Sequence, residues 1–445
     1  MAVTFDMIDK FQNEFEKKKK YTVLQGVLRK TPLNSVSGNQ NALSKLPLKF
    51  NTVLPDVGAT NQYNSGRCWI FAGLNVIRQK LIHKYKLDGS FELSQSYLSR
   101  FDKLEKCNAT LEFIYDLAKS GKSNMSLEYA ALISNSLSDG GTWPSFVALV
   151  KKYGVVPKDV YPDTFQAKNT GRMCALLETI IMRTSHSISV KMPRSEFDDL
   201  KNKTLDECYR VINMFMSNAP KSFMWSAKQE RAEKSYTPLS FYGSIVKPLF
   251  NPDKFVCISH FPLEKYDSLL GVEYTNTVLD RGNEVTRNKA DTYLNIDLDT
   301  FKTSVYKAIV KGFPVWFACD FGKFLLESHS VLDQNSSNLV DMLDIDFDTN
   351  KRIGLESRTI IPNHAMVITG VHKTDKGFER WRVENSHGSK NPFKGSLVMS
   401  DKWFSEFVIC AAVPIDCLPV RLRDFTKLDT KWLPFWSVLG TFSRS

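Results

Sequence analysis

Apolar residues recur at positions 5, 8, 11 and 15, the spacing of one helical face, and this stripe runs into Lys17-Lys18-Lys19-Lys20. From about Thr31 to Leu54 the chain is polar and broken by Pro32 and Pro47, so it reads as an arm draped over a larger body. Helical periodicity returns over Trp69 to Tyr85, with Ile70, Leu74, Ile77 and Leu81 on one stripe. Phe91 to Leu98 opens a second helix, with Ser94 as its N-cap. Asp139-Gly140-Gly141-Thr142-Trp143-Pro144 forms a tight loop before a third helix carrying Phe146, Leu149 and Val150, which Gly154-Val155-Val156-Pro157 closes.

Residues 165–249 are helix-like and highly charged, especially Glu196 to Arg210, and read as an insertion. The texture then turns to β. Pro314 to Asp320, Ala365 to Val371 and Trp381 to Glu384 are short strand patterns, and Trp403-Phe404 through Val413 is expected to complete the sheet. The expected organisation is an arm (1–54), a helical subdomain (55–164), a mostly helical insertion (165–250), a β-rich subdomain (251–430) and a tail (431–445). Asp344-Ile345-Asp346-Phe347-Asp348 begins like a calcium loop. Thr349 stands where that loop needs Gly and Leu355 where it needs Glu, so the stretch reads as a solvated loop.

Composition narrows the class. With 42% apolar and 24% charged residues the chain is that of a globular protein, and 445 residues allow an ample core. No run near Met1 resembles a signal-peptide core, and the Phe407–Pro414 stretch is far short of the ~20 residues of a membrane span, so a cytoplasmic address without membrane contact is expected. The eight cysteines show no CxxC pair, which signals neither zinc nor a redox motif. A net charge of +11 would attract polyanions. The excess is spread along the chain apart from the lysine tetrad, read as a solvated helix end, so nucleic acid is a secondary partner class.

Candidate chemistry centres on Asn61-Gln62-Tyr63-Asn64-Ser65-Gly66-Arg67-Cys68-Trp69, where a polar loop meets an apolar helix. A thiol in the first turn of a helix feels unpaired N–H groups that favour the thiolate, the nucleophilic form. Gln62, six positions earlier, is placed to donate a hydrogen bond beside the sulfur. Of seven histidines, His364 suits a general base: it enters an apolar strand, and small Ala365 leaves room for another element. Asn385 ends the next strand, so its side-chain oxygen can accept the other imidazole N–H and fix the tautomer. Singly, each type has a commoner structural use, as an inert core thiol, a satisfied strand-end histidine or a turn asparagine. Their ordered combination points to a Cys-His-Asn hydrolase that needs no metal or organic cofactor.

With these residues in view the chain resembles the papain-like cysteine peptidases, and within them the bleomycin hydrolase and aminopeptidase C family. Ser65 occupies the position of the disulfide-forming cysteine of the secreted papain-type signature, as in the cytosolic branch. Glu92-Leu93-Ser94-Gln95-Ser96-Tyr97-Leu98, Asp139-Gly140-Gly141, Lys152 to Lys158, Thr237-Pro238-Leu239, Trp316-Phe317, His364-Ala365-Met366 and Trp381 to Ser386 resemble the same branch. The resemblance implies an α+β papain-like fold, a helical subdomain with Cys68 facing a β subdomain with His364 and Asn385, plus helical insertions used in a homohexamer. It further implies a C-terminal arm in the cleft whose carboxylate meets the free amine of a peptide substrate, which makes an aminopeptidase. Leu433-Pro434-Phe435-Trp436 and Leu439-Gly440 resemble the family's closing motif.

Three departures stand out. His387 replaces the tryptophan that shields the Asn–His hydrogen bond, so a weaker bond or a shifted pH profile is expected. The tail runs on through Thr441 to Ser445, past the usual end, and Asn363 stands where the family often has Thr. Two rival readings follow: an endopeptidase or broad amidase with an open cleft, or a nucleic-acid-binding oligomer with weak catalysis.

Overall fold

The computed structural model describes residues 2–122, 126–134, 136–227, 232–272, 291–346 and 350–441. Its helical half is built around the Cys68–Tyr85 helix. Residues 68 to 79 of that helix are all buried, not one stripe of it, because it is packed between neighbouring helices and the sheet. Arg78 is tolerated inside because its guanidinium donates to the carbonyls of Phe91, Gly58, Val57 and Gly89, which ties the incoming loops to the helix. The Gln95–Lys119 helix starts where Ser94 Oγ accepts from Tyr97 N at 3.1 Å. In the Trp143–Tyr153 helix Thr142 does the same for Ser145 N, and Pro144 falls in the first turn, where a missing N–H costs nothing. That helix ends at Gly154, at φ +74°; a Cβ there would lie 2.2 Å from the Pro238 carbonyl oxygen, so only glycine fits.

The β half is one sheet. Its strand order among the described residues runs Thr430–Leu433, Ser268–Val272, Asp291–Asn295, Phe255–Ser259, Val408–Pro414, Val315–Cys319, His364–Thr374, Gly377–Glu384, Ser396–Ser400, Val331–Leu332, Leu325–Leu326, with Thr52–Val53 beside His364–Thr374. His364–Thr374 is antiparallel to both neighbours, pairing His364 with Cys319 and Val367 with Glu384. One strand expectation is corrected. Asp401–Phe407 is helical, capped by Ser400 Oγ accepting from Trp403 N at 3.2 Å, because Trp403, Phe404 and Phe407 reach the sheet at helical spacing; only Val408–Pro414 is strand.

The two halves meet across tryptophans. Trp316 Nε1 of the sheet donates to the Trp69 carbonyl at 3.1 Å, and the Trp143 and Trp316 rings lie 5.9 Å apart. A second core forms where Gly171–Ser185 and Arg194–Met216 pack on Gln95–Lys119, around Leu111, Met173, Leu177, Phe197 and Ile212. Buried Glu112 joins Arg194 and Lys201 there. The 165–250 segment also carries a two-stranded ladder, Phe223–Trp225 with Lys234–Tyr236. Phe435 enters this second core while Leu433, Val438 and Leu439 enter the main one, so the C-terminal segment crosses between the two. The last tail residues, 442–445, lie outside the described residues.

The arm helices Phe5–Lys17 and Lys19–Leu28 bury no residue. The lysine tetrad is a solvent-exposed helix boundary, where Lys18 and Lys20 also form ion pairs with Asp344, which accepts from Tyr21 Oη at 2.9 Å. The acidic stretch is therefore engaged at Asp344; its residues 347–349 lie outside the described residues. Among the described residues no helix is long and apolar enough to cross a membrane.

Candidate active site

The loop before Cys68 is fastened from three sides. Gln62 N donates to the Ser386 carbonyl at 2.8 Å, which lays the loop against the β half. Tyr63 N donates to Asn61 Oδ1 at 2.9 Å and Tyr63 sits at φ +53°, which turns the chain back toward the helix. Gly66 N donates to Asp139 Oδ2 at 2.9 Å, and Asp139 is held by the buried Lys103 ammonium at 2.7 Å. The Arg67 guanidinium, wholly buried, donates to Ser65 Oγ and Ser96 Oγ, both at 2.9 Å, and pairs with Asp163 at 3.2 Å. Sequence reasoning missed Lys103, Arg67 and Asp163. Asp139 stood out in the sequence as part of a helix-start loop and of a family-like motif, with no role assigned to its carboxylate.

Cys68 is the first residue of its helix. Its sulfur accepts from Ala365 N at 3.4 Å, across 297 residues of chain, so the thiol rests against the start of the His364–Thr374 strand. Small Ala365 permits that approach. His364 Nε2 and Asn385 Oδ1 are 2.8 Å apart, because His364 begins one strand and Asn385 follows its antiparallel neighbour. An amide oxygen only accepts, so Nε2 carries the proton and Nδ1 is left to take one. The fold brings Cys68, His364 and Asn385 together at the junction of the two halves.

Burial pushes the Cys68 thiol up to about 11, against the backbone N–H groups of Ala365, Trp69 and Cys68 itself, which favour the thiolate. Burial likewise pushes the His364 imidazole down to about 4, against the Asn385 hydrogen bond, and His387 adds to the lowering. Each direction describes one charge formed alone in an apolar site. Passing the thiol proton to His364 creates two opposite charges together, and each then stabilises the other.

Gln62, also buried, has its amide fixed at both ends: Nε2 donates to the Ser65 carbonyl at 2.5 Å and Oε1 accepts from Ser386 Oγ at 2.5 Å. One amide N–H remains for another acceptor. Ser386, next to Asn385, thus ties the loop donor to the imidazole's partner. The imidazole packs against both Phe321, at 4.7 Å between ring centroids, and His387, at 5.1 Å, and those two rings are themselves 5.9 Å apart, so the three form a triangular cluster. Asn363 Oδ1 accepts from Phe321 N at 2.7 Å and its Nδ2 donates to Asp320 Oδ1 at 2.9 Å, which holds the Phe321 turn against the strand start. Phe321 left no signal in the sequence, since it lies just beyond a strand pattern. Among the described residues no group of three or more His, Cys, Asp or Glu side chains could hold a metal ion.

The Peptidase C1-like family matches residues 2–440. Bleomycin hydrolase of Mus musculus is 32% identical over 413 residues, covering 89% of this chain and 89% of that protein. Aminopeptidase C of Lactobacillus delbrueckii subsp. lactis is 30% identical over 454 residues, covering 99% and 98%. The crystal structure of PepW from Lactobacillus rhamnosis superposes with a TM-score of 0.89 at 29% identity, covering 98% of each chain. The α+β architecture described above, a helical half carrying a thiol against a β half carrying an imidazole, is thus the papain-like one. The chain belongs to the Peptidase C1-like family and is an enzyme of the cysteine peptidase class.

Proposed function

We propose that the protein is a cytoplasmic aminopeptidase of bleomycin hydrolase type, acting on peptides with a free N-terminus through Cys68, His364, Asn385 and Gln62. The observation that carries this reading is the Ala365 N–H on the Cys68 sulfur at 3.4 Å, beside the His364–Asn385 contact of 2.8 Å. His364 Nδ1 takes the thiol proton and the thiolate attacks the substrate carbonyl. The backbone N–H of Cys68 and the free amide N–H of Gln62 hold the oxyanion, a contribution of about 3–4 kcal/mol per donor. His364 returns the proton to the leaving amine, and water then hydrolyses the thioester with His364 as base. Asn385 keeps Nε2–H occupied so that Nδ1 stays available throughout.

Aminopeptidase C and bleomycin hydrolase, as relatives over most of the chain, support the exopeptidase direction. A homo-oligomer, hexameric by family resemblance, is supported by the Phe5–Lys17 helix, which exposes Phe5, Ile8 and Phe11 to solvent. The nucleic-acid reading is weakened because Lys18 and Lys20 are already paired with Asp344. The test compares an aminoacyl fluorogenic amide with its N-acetylated form. The free amine is expected to be hydrolysed, the blocked one rejected, and Cys68→Ser inactive on both. Equal rates on the two substrates would replace this reading with an endopeptidase or broad amidase.

A further inference from the structure

We propose that His387 is a pH-gated positioning residue: its neutral imidazole holds the Asn385 amide in the orientation that orients His364, and its protonation releases that hold. The argument starts from Asn385. Its Oδ1 is 2.8 Å from His364 Nε2 and accepts from Ser386 N, also at 2.8 Å, so both lone pairs are engaged. The amide nitrogen can then only donate, and it faces His387 Nδ1 at 3.2 Å. His387 Nδ1 must be the acceptor, which fixes the Nε2–H tautomer. An imidazolium carries N–H on both nitrogens. Protonated His387 therefore sets Nδ1–H against the amide N–H. Flipping the amide relieves that clash only by turning its NH2 toward His364 Nε2–H and Ser386 N–H, which loses both bonds to Oδ1.

A second effect acts in the same direction. The His387 and His364 rings are 5.1 Å apart, so a charge on His387 opposes the imidazolium that a thiolate pair requires. The groups facing His387 come from five segments. His364 faces it from its strand, and Asn385 from its own segment. Phe321 lies 5.9 Å away between ring centroids, and Asn61 pairs with it in an antiparallel bridge. Glu327, in the turn Glu327–His329, favours its protonation, while partial desolvation of the ring, on a residue that is otherwise solvent-exposed, opposes it and prevails, so the ring titrates below the ordinary histidine value of about 6.5.

The activity arm of the test rests on the proposed peptidase reading; the alkylation arm does not. Alkylation of Cys68 by iodoacetamide, with the site read by mass spectrometry, and kcat/KM on the aminoacyl amide are each measured from about pH 4 to 8. His387→Leu removes the acceptor and is expected to lower kcat about tenfold with KM within about twofold. His387→Asn places an oxygen near the former Nδ1 that accepts without titrating. It is expected to recover most of the leucine variant's loss and to move the acid limb of both profiles down by about half to one pH unit. Superimposable acid limbs for the wild type and His387→Asn overturn the proposal. A shifted alkylation limb in a protein that hydrolyses nothing supports the positioning role and removes the peptidase reading instead. Should the asparagine variant not fold, the histidine ring resonances of the wild type decide: the His364 signal follows the ionisation of His387, or, by staying still, refutes the gate.

Discussion

At the scale of single residues, burial sets the conditions under which the sulfur and the imidazole work. Each charge alone is disfavoured, so the thiolate and imidazolium arise together and their titrations belong to the pair. His364→Ala should therefore remove the acid-side rise in Cys68 alkylation and leave only the slow reaction of a thiol titrating near 11, which a pH–alkylation profile measures directly. Gln62→Ala removes the proposed side-chain oxyanion donor and is expected to lower kcat by about 10²–10³-fold. Ser386→Ala, which frees the Gln62 amide from 2.5 Å contact without removing it, should cost less, about three- to tenfold in kcat, with KM nearly unchanged. The chemistry-bearing types were legible from sequence because the loop-to-helix junction, the strand entry and the strand end are local patterns. Phe321 was not legible, since its role lies in facing an imidazole 43 positions further on.

At the scale of elements, the start of the Cys68 helix is held by buried charge, Arg67 with Asp163 and Lys103 with Asp139. Asp139 is raised by burial, yet the Lys103 charge and the hydrogen bonds from Lys103, Thr170 and Gly66 outweigh that and hold its carboxyl well below the usual range. With the folded value depressed, its stabilising contribution is complete above the unfolded carboxylate value of about 4 and is lost as pH falls below it. Asp139→Asn leaves Lys103 with Asp102 as its one nearby carboxylate, at 3.7 Å and shared with Lys106, beside the Ser138 carbonyl at 2.9 Å, and is expected to cost about 3–5 kcal/mol at neutral pH. The gap from wild type should narrow below about pH 4, which urea titrations at pH 7 and pH 3 compare. Gly141→Ala tests the same junction sterically. A Cβ there would lie 2.4 Å from the Trp69 ring, so a lower Tm and weaker Cys68 alkylation are expected. Caps and periodicity announced the helices. They misread Trp403-Phe404, because a short apolar run does not reveal its period, and here the Ser400 cap decided for a helix.

At the scale of the whole molecule, the exposed face of the Phe5–Lys17 helix is a cluster of apolar side chains that a single chain leaves in solvent. Phe11 is 59% exposed and Phe5 86%, on a helix that buries nothing. On the proposed homo-oligomer, Phe11→Asp is expected to shift the native mass toward the monomer while leaving Tm of the chain nearly unchanged; an unaltered native mass would exclude this helix as an assembly contact. Three of the candidate residues follow from local order: a thiol at a helix start, a histidine at a strand entry and an asparagine at a strand end each have a pattern read within a few positions, while family and fold class were legible only through the resemblance of the motifs around them. What only the tertiary structure decided is long-range. It set which backbone N–H meets the sulfur across 297 residues, which buried lysine neutralises Asp139, that His387 must accept a hydrogen bond from Asn385, and that residues 68 to 79 of the Cys68 helix are enclosed on every face. These depend on atoms brought within a few ångströms by packing, and hydrogen bonds and charges in a low-dielectric interior act at that distance, not along the chain.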